Sequence, residues 1–257
     1  LSLDLMERKS YAALPDAENI IYLVGLKFGT SQNPALTWAT NMLIPACTCE
    51  RYPQARIAAL SSGNVYPLTP LTSPGSCETD PLTPLGEYAN CCVARERIVD
   101  YFSARNGAPV ALIRLSYAID LRYGVLPDIA RQVYQGEPVD VTMGFFNCIW
   151  QGDANELILR CLSLARSPAY PINLTGTVAL SVREVALQFA RLMGREVIFQ
   201  GQEAETALLS NTGRLVQTLG APPTSPDTMI RWIAEWVMAG GRTLNKPTHF
   251  QEREGRY

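Results

Sequence analysis

The chain has 257 residues, 47% of them hydrophobic and 18% charged, which is enough apolar material for one large domain or two unequal ones. A formal net charge of −2 leaves no strongly basic surface of the kind that binds nucleic acid or an anionic membrane. Apolar runs such as IIYLVGL fall far short of the roughly 20 residues that span a bilayer. The seven scattered cysteines lack zinc-ligand spacing, so we expect reduced thiols, no bound metal and a cytoplasmic location.

The first half of the chain alternates between predicted strands and helices. Residues 19–25 (NIIYLVG) form an apolar run that is typical of a strand buried on both faces. The elements predicted after it are a helix over 34–52, a strand over 56–62, a helix from about 87 to 106 and a strand over 108–119. Apolar residues at helical spacing in the first of these helices are Leu36, Ala39, Met42 and Leu43. This alternation predicts a doubly wound, mainly parallel sheet with right-handed crossovers.

The second half of the chain is more mixed. The elements predicted there are helices near 126–135, after Asp153, and over 181–193, 211–219 and 226–239, and strands near 146–150, 170–176 and 196–201. Ser181 and Glu184 predict a capping box at the start of one helix, and Gly194 predicts its end. Asp153 is expected to be the N-cap of the helix that follows it, and the chain after residue 240 is expected to be an extended tail.

Two short motifs stand where strands end and helices begin. SSGNVY puts Ser62 at the end of a predicted strand. GEYANCC puts Tyr88 at the start of a predicted helix, with Cys92 about one turn further on. Together with LDL at residues 3–5, IIYLVG and LIRLSYA, these motifs resemble the extended short-chain dehydrogenase/reductases of the NAD-dependent epimerase/dehydratase family.

This resemblance implies a Rossmann-like α/β fold, with a doubly wound, mainly parallel sheet and a small C-terminal substrate-binding subdomain. It also implies that Tyr88 exchanges the substrate hydroxyl proton while Ser62 holds that oxygen, with NAD or NADP as the cofactor. The cofactor contacts that it implies are Asp4, Val24, Gly25, Leu26, Asn41, Tyr88, Leu115 and Tyr117. The substrate contacts that it implies are Ser62, Gly63, Asn64, Ser116 and Arg122.

The domain organisation follows from the same resemblance. The expected parts are a cofactor domain over 1–115 and about 140–175, a substrate-binding subdomain over about 116–139 and 176–240, and a tail over 241–257. No G-x-G-x-x-G turn occurs in the sequence, although in a Rossmann fold this turn brings the backbone up to the cofactor pyrophosphate. Because that turn follows a strand in the middle of the sheet, we expect that ~60 residues with the first two strands precede this sequence.

Position 92 is the second departure from the family pattern, because the family has a lysine four residues after the tyrosine. Cys92 shares a helix face with Tyr88 but brings no positive charge to lower the pKa of the phenol. Lys27 follows the strand whose carboxyl end borders the cofactor, so it is a candidate for the missing cation. The alternative for Lys27 is a solvated lysine in a loop.

The third departure concerns the substrate. Nucleotide-sugar members of the family usually hold the diphosphate with an arginine, and residues 139–153 (VDVTMGFFNCIWQGD) contain neither arginine nor lysine. Arg122 and Arg131 lie nearby in sequence but could equally be surface charges. The stretch therefore favours a smaller polar substrate, such as a free sugar or a sugar acid.

Two functions stay open on this evidence. The favoured one is an NAD(P)-dependent oxidoreductase or epimerase/dehydratase that acts on a sugar, a sugar acid or a small polyol. The alternative is a non-catalytic dinucleotide-binding relative, a sensor or an interaction subunit, in which Cys92 marks lost chemistry. We expect a small-molecule substrate as the partner, with neither nucleic acid nor membrane, and a homodimer stays an open alternative to a monomer.

Overall fold

The structure is a computed structural model that describes residues 1–27, 29, 32–246 and 248–256. Its strands are β1 (Asn19–Tyr22), β2 (Arg56–Ser62), β3 (Thr69–Pro70), β4 (Val110–Leu115), β5 (Ala118–Ile119), β6 (Val139–Asp140), β7 (Phe145–Phe146), β8 (Ile149–Trp150), β9 (Tyr170–Leu174), β10 (Leu180–Ser181), β11 (Phe199–Gln200) and β12 (Thr206–Ala207). Its α-helices are α1 (Pro34–Arg51), α2 (Gly86–Asn106), α3 (Val125–Gln135), α4 (Gln151–Arg160), α5 (Val182–Met193), α6 (Gly213–Leu219) and α7 (Pro226–Met238).

The main sheet has four parallel strands in the order β1-β2-β4-β9. Its register aligns the carboxyl ends of the strands, since Ser62 at the end of β2 pairs with Leu115 at the end of β4. The other strands form two-stranded pairs around it. The α/β architecture with a mainly parallel sheet that the sequence predicts is therefore present.

Both faces of the main sheet are covered, as is usual for parallel sheets. Ile57 on β2 packs with Val99 of α2, whereas the next residue, Ala58, packs with Leu157 of α4. Successive side chains of a strand point to opposite faces, so this alternation puts α1 and α2 on one side and α4 and α6 on the other.

The buried face of α1 is not the apolar face that the sequence predicts. Leu36 and Leu43 are exposed, whereas Thr37 and Asn41 are fully buried. The reason is that the buried side of α1 faces α2 and the backbone after β1, where Asn41 forms hydrogen bonds that an apolar residue could not make.

A second core forms where α3, α5 and α7 pack together around side chains such as Phe189 and Ile233. At the start of α5 the Ser181 hydroxyl accepts a hydrogen bond from the Glu184 N–H at 3.3 Å, which is the N-cap half of the predicted capping box. Its end is also as predicted, since Gly194 takes the left-handed conformation with φ of 63°. The division of the chain into two subdomains stays a prediction.

The long strand predicted over 108–119 is interrupted. β4 ends at Leu115, and Tyr117 then has a positive φ of 43°, a conformation that non-glycine residues seldom adopt. The chain resumes as the short β5, which pairs with β8 rather than with the main sheet. The break lies at the carboxyl edge of the sheet and redirects the chain there.

The predicted N-cap role of Asp153 is wrong. Helix α4 begins at Gln151, so Asp153 lies inside its first turn, and its carboxylate accepts hydrogen bonds from the N–H and hydroxyl of Thr224 at 2.9 and 3.0 Å. The segment after residue 240 packs on the body of the protein through Thr248, whose N–H and hydroxyl donate to Asp128 at 2.8 and 2.7 Å. Residues 247 and 257 of the predicted tail lie outside the described residues. Among the described helices, none combines the length and the apolar character needed to cross a bilayer.

Candidate functional site

The carboxyl ends of β1, β2 and β4 open into a cavity of about 260 Å³. In parallel sheets this edge is where ligands bind. The residues that line the cavity are Leu23, Gly25, Lys27, Leu60, Ser61, Ser62, Asn64, Tyr88, Arg95, Leu115, Ser116, Tyr117, Ala118, Tyr123, Gly124, Leu208 and Thr248. The cavity therefore brings together most of the site residues that the sequence predicts.

Ser62 and Tyr88 meet in this cavity although 26 positions separate them in sequence. The Ser62 hydroxyl donates to the Asn64 side-chain oxygen at 2.8 Å and also hydrogen-bonds Tyr88. Burial raises the pKa of the Tyr88 phenol strongly, and Cys92 adds to the rise. Arg95 and the hydrogen bond with Ser62 lower that pKa. The phenol is therefore protonated in this environment and able to donate a proton.

Cys92 lies one helical turn from Tyr88, in a small buried cluster with Val65 and Tyr66. Its side chain is inaccessible to solvent. Burial raises the pKa of its thiol, an effect that the nearby Arg95 opposes. A buried neutral thiol supplies no charge to the phenol beside it.

Lys27 lines the cavity from the side of β1. Its Nζ lies 5.8 Å from the centre of the Tyr88 ring, which is within the range of a cation–π contact. Burial lowers the pKa of the Lys27 ammonium, and Cys92 acts in the opposite direction. Lys27 is therefore partly buried and lies beside the Tyr88 ring.

Arg95 is a cavity residue that the sequence reasoning missed. It is 4% exposed, and its guanidinium donates to the Leu60 carbonyl at 2.8 Å and to the Asn41 side-chain oxygen. Its buried Nε has no hydrogen-bond partner, and the described part of the chain places no carboxylate in salt-bridge contact with it. Its spacing in the sequence could have identified it, because a residue seven places after Tyr88 lies two turns along the same helix face.

Asn41 fixes the backbone that leads from β1 into the cavity. Its amide donates to the Leu26 carbonyl at 3.0 Å, and its side-chain oxygen accepts from the Leu26 N–H at 3.4 Å. Next to these two hydrogen bonds, a Cβ on Gly25 would lie 2.8 Å from an Arg95 guanidinium nitrogen. A side chain at position 25 would therefore require the Arg95 guanidinium to shift, whereas the φ of Gly25 is not unusual.

The remaining predicted site residues divide into two groups. Gly63 is buried behind the cavity wall, and Val24 is partly buried beside it. Asp4 and Arg122 do not line the cavity. Asp4 is exposed and accepts from the Met6 N–H, and Arg122 is paired with Asp120 at 2.8 Å.

A second cavity, of about 640 Å³, lies beside the loop before α6. The residues that line it are Leu71, Ser73, Pro74, Phe145, Asn147, Thr177, Ala179, Leu209, Ser210, Asn211, Thr212, Gly213, Val216 and Gln217. None of these lining residues carries a charge. Arg131, the other arginine considered from the sequence, forms an ion pair with Asp128.

Comparison with known proteins identifies the family. The profile of the NAD dependent epimerase/dehydratase family matches residues 1–150, more than half of the chain. The chain belongs to this family. The comparison with curated protein sequences found no match to the chain.

Solved structures show the same fold at low sequence identity. RMD from Pseudomonas aeruginosa complexed with NADPH is 20% identical, with a TM-score of 0.79 over 91% of this chain and 87% of that one. UDP-glucose 4-epimerase from Thermotoga maritima with UDP-glucose is 14% identical, with a TM-score of 0.77 over 93% and 84%. UDP-glucuronic acid 4-epimerase from Bacillus cereus, in complex with a fluorinated UDP-sugar acid and NAD, is 12% identical, with a TM-score of 0.77 over 92% and 80%. These matches confirm the Rossmann-like fold that the sequence predicts.

Proposed function

We propose that this epimerase/dehydratase family member binds NAD or NADP and transfers hydride to or from a small hydroxylated substrate, as an oxidoreductase or an epimerase/dehydratase. The observation that carries the proposal is the meeting of the Ser62 and Tyr88 hydroxyls in the cavity at the carboxyl edge of the parallel sheet. The NADPH and NAD complexes of similarly folded proteins support the cofactor class.

Tyr88 is the proton-transfer group in this proposal. Its phenol donates a proton to a substrate oxygen during reduction and accepts one during oxidation, while the Ser62 hydroxyl holds the same oxygen. The bound cofactor supplies the hydride acceptor or donor. Asn64 orients the Ser62 hydroxyl, because its side-chain oxygen accepts from that hydroxyl at 2.8 Å.

The cavity suits the nicotinamide end of the cofactor. Its wall combines the backbone around Gly25 with the apolar Leu115, the ring of Tyr117 and Tyr88, which are groups that can pack against a planar ring. A side chain at position 25 would collide with Arg95, so the backbone there stays accessible at close range. The pyrophosphate is not assigned to residues of this chain, because no glycine-rich turn is present in the sequence.

The proposed substrate is a free sugar, a sugar acid or a small polyol. The larger second cavity has no charged lining residue to hold a diphosphate, and both Arg122 and Arg131 are occupied by local carboxylates. UDP-sugars, which similarly folded epimerases bind, are the competing class. We also propose a cytoplasmic location, which the free state of all seven cysteines supports.

Two binding measurements test the function. Calorimetric titration with NAD⁺ and NADP⁺ is expected to show saturable binding of at least one of them, and absence of both would refute the proposal. Melting temperature is then measured with free sugars, sugar acids, and UDP- and GDP-sugars, since a ligand of the native state raises it. Stabilisation by the small sugars alone supports the proposed substrate class, whereas stabilisation by the nucleotide sugars alone would replace it. Cofactor binding without turnover of any of these substrates would favour the non-catalytic alternative.

A further inference from the structure

Residues 248–256 form a segment that we call the strap, and its first part is attached to α3. The N–H and the hydroxyl of Thr248 donate to Asp128 on that helix at 2.8 and 2.7 Å. Two residues later, Phe250 is buried in the core around α3, α5 and α7. Thr248 also lines the main cavity. The first part of the strap is therefore anchored to the body of the protein and forms part of the cavity wall.

The second part of the strap is held by a different element. The guanidinium of Arg253 donates to the Thr206 carbonyl on β12 at 2.7 Å, and it also approaches the sulfur of Met143 at 3.4 Å. The strap is thus attached at two separate places before it reaches the start of α2.

The strap meets α2 at a contact between two glycines. A Cβ added to Gly255 would lie 2.2 Å from the Leu85 carbonyl oxygen, and one added to Gly86 would lie 2.1 Å from the Gly255 carbonyl oxygen. Both glycines have a left-handed φ, of 76° for Gly255 and 77° for Gly86. The two backbones are therefore in direct contact, and neither position has room for a side chain.

Tyr88 lies two residues after this contact, in the first turn of α2. The N-cap residue of the helix is Leu85, whose side chain has no polar atom that could accept from the N–H groups of that turn. Helix ends fray where they are not held. The packing of Gly255 against Gly86 therefore supports the turn at a point where the N-cap side chain cannot.

We propose that Gly255 is a positioning residue, which holds the first turn of α2 through Gly86 and thereby places the phenol of Tyr88 beside Ser62. The inference rests on the proposed function, because it concerns how that site places its proton-transfer group. It goes beyond that function in assigning the placement to a segment that is distant from Tyr88 in sequence.

A small movement of α2 is enough to disturb the site. The hydroxyl of Ser62 hydrogen-bonds Tyr88 but belongs to β2, so a shift of α2 separates the two groups. Proton transfer needs a heavy-atom distance of about 2.6–3.2 Å between the phenol and the substrate oxygen. A misplacement of about 1 Å can lower turnover by about 10²-fold.

Gly255→Ala tests the positioning. The added Cβ forces the two backbones apart, so we expect kcat to fall by about 10- to 100-fold with little change in the Kd for NAD or NADP. Turnover is measured with a substrate identified by the thermal screen. Gly107→Ala is the matched control, because Gly107 follows the other end of α2 and has a similar φ of 69°. No described atom lies within 4 Å of its added Cβ, so this variant has the same backbone strain and should keep the wild-type kcat.

A second measurement reports the position of the phenol without turnover. Tyr88 is replaced by 3-fluorotyrosine in the full chain, and its ¹⁹F NMR signal is recorded together with hydrogen exchange of the first-turn amides of α2. Gly255→Ala is expected to shift this signal and to speed the exchange by about 10-fold, whereas Gly107→Ala should do neither. A shifted signal with an unchanged kcat would make the contact merely structural, and a lower kcat with an unchanged signal would place the cause elsewhere. Either result would overturn the inference, as would no change in both.

A second variant is available if Gly255→Ala does not fold. Arg253→Met removes the hydrogen bond to Thr206 and loosens the strap at another anchor, so it should change the signal and kcat in the same direction but less. Arg256→Met is its control, since Arg256 lies on the same strap and forms an exposed pair with Glu254. Wild-type behaviour of Arg253→Met would then overturn the inference.

The NMR and exchange measurements need neither cofactor nor substrate. A shifted signal in a protein that binds neither NAD nor NADP would therefore refute the proposed function and leave the placement of Tyr88 by Gly255 intact. Normal turnover in a Gly255→Ala protein would refute the placement and leave the proposed function intact.

Discussion

Two buried arginines, Arg95 and Arg114, differ in the partners that surround them. Arg114 on β4 forms a 2.7 Å salt bridge with Glu96 and donates to the Tyr66 hydroxyl at 2.6 Å. Among the residues that the structure describes, the acceptors of Arg95 are neutral and its Nε has none. A buried charge with a full set of partners is a structural element, whereas one without a counter-ion leaves its field to act on the adjacent cavity.

The two regions are neighbours along the chain. Ser61 donates to Glu96 at 2.6 Å and so belongs to the region around Arg114, which we call the arginine network: Ser61, Tyr66, Glu78, Glu96, Arg114 and Asn173. The next residue, Ser62, serves the cavity. Ser61 also lines the cavity, so the two regions meet at these consecutive residues of β2. We expect variants of the arginine network to change stability and variants of the cavity to change turnover.

Tyr88→Phe is the substitution that we expect to have the largest effect. Loss of the phenolic hydroxyl should lower kcat by a factor of about 10² to 10⁴, the usual range for acid–base catalysis, with little change in the Kd for NAD. The measurement is steady-state turnover of a substrate identified by the thermal screen, together with calorimetric cofactor titration. Tyr101→Phe is the matched control, because Tyr101 lies on the same helix and is 58% exposed. Equal turnover in the Tyr88 variant would remove the catalytic role.

Arg114→Met tests whether the arginine network stabilises the fold. Removal of one partner from a buried ion pair leaves Glu96 uncompensated, so we expect the free energy of unfolding to fall by about 3–5 kcal/mol. Urea denaturation measures this fall. Arg122→Met, which breaks the exposed pair with Asp120, is the control and should cost no more than about 1 kcal/mol. If both substitutions cost the same, the arginine network is not a stability element.

The sequence predicts the end of β2 at Ser62 and with it part of the site, whereas the strands predicted over 19–25 and 108–119 end earlier, at Tyr22 and Leu115. Apolar runs fix where β1 and β2 lie, and parallel strands bring their carboxyl ends together. Ser62 and Lys27 therefore reach one cavity, as expected from strands that end beside each other. Tyr88 joins them because its helix starts at the same edge.

The other cavity residues could not be predicted in this way. A charged residue in the middle of a helix, such as Arg95, ordinarily indicates a solvated face, and its burial follows from acceptors on β2 and α1 that are distant in sequence. Thr248 reaches the cavity from the far end of the chain because Asp128 binds it. Conversely, Arg122 does not line the cavity, because its guanidinium donates to Asp120, two residues away. Local sequence patterns do not indicate such long-range or competing hydrogen-bond partners.

Gly63→Ala tests how strictly the wall of the cavity is packed. A Cβ there would lie 1.8 Å from the Ser116 hydroxyl oxygen, so the substitution overpacks the site and should cost about 1–3 kcal/mol of unfolding free energy. Because Ser116 lines the cavity, cofactor affinity should fall as well, unlike in Arg114→Met. The double variant Gly63→Ala/Ser116→Ala removes the hydroxyl and should recover most of the stability. Failure of the second substitution to help would show that the contact is not the cause.

A buried thiol outside both regions provides an effect that is expected only at alkaline pH. Cys148 lies in the core around α3, α5 and α7, and burial raises the pKa of its thiol from 9.0 to about 12. In the unfolded chain the thiol ionises near its ordinary pKa, so its contribution to stability is complete below that value and is lost as the pH rises towards 12. Over this interval Cys148 should remove about 1.4 kcal/mol of unfolding free energy per pH unit.

The measurement is urea denaturation of wild type and Cys148→Ala at several pH values. The variant is expected to start less stable at neutral pH, because a buried side chain is shortened, and then to lose stability more slowly as the pH rises above about 9. Only the slope tests the assignment, since the offset reflects packing alone. Parallel slopes for the two proteins would mean that the Cys148 thiol ionises equally in the folded and unfolded states. Alkaline sensitivity would then arise from other buried groups, such as Tyr66 in the arginine network and the Cys161 thiol, whose pKa values burial raises to about 12.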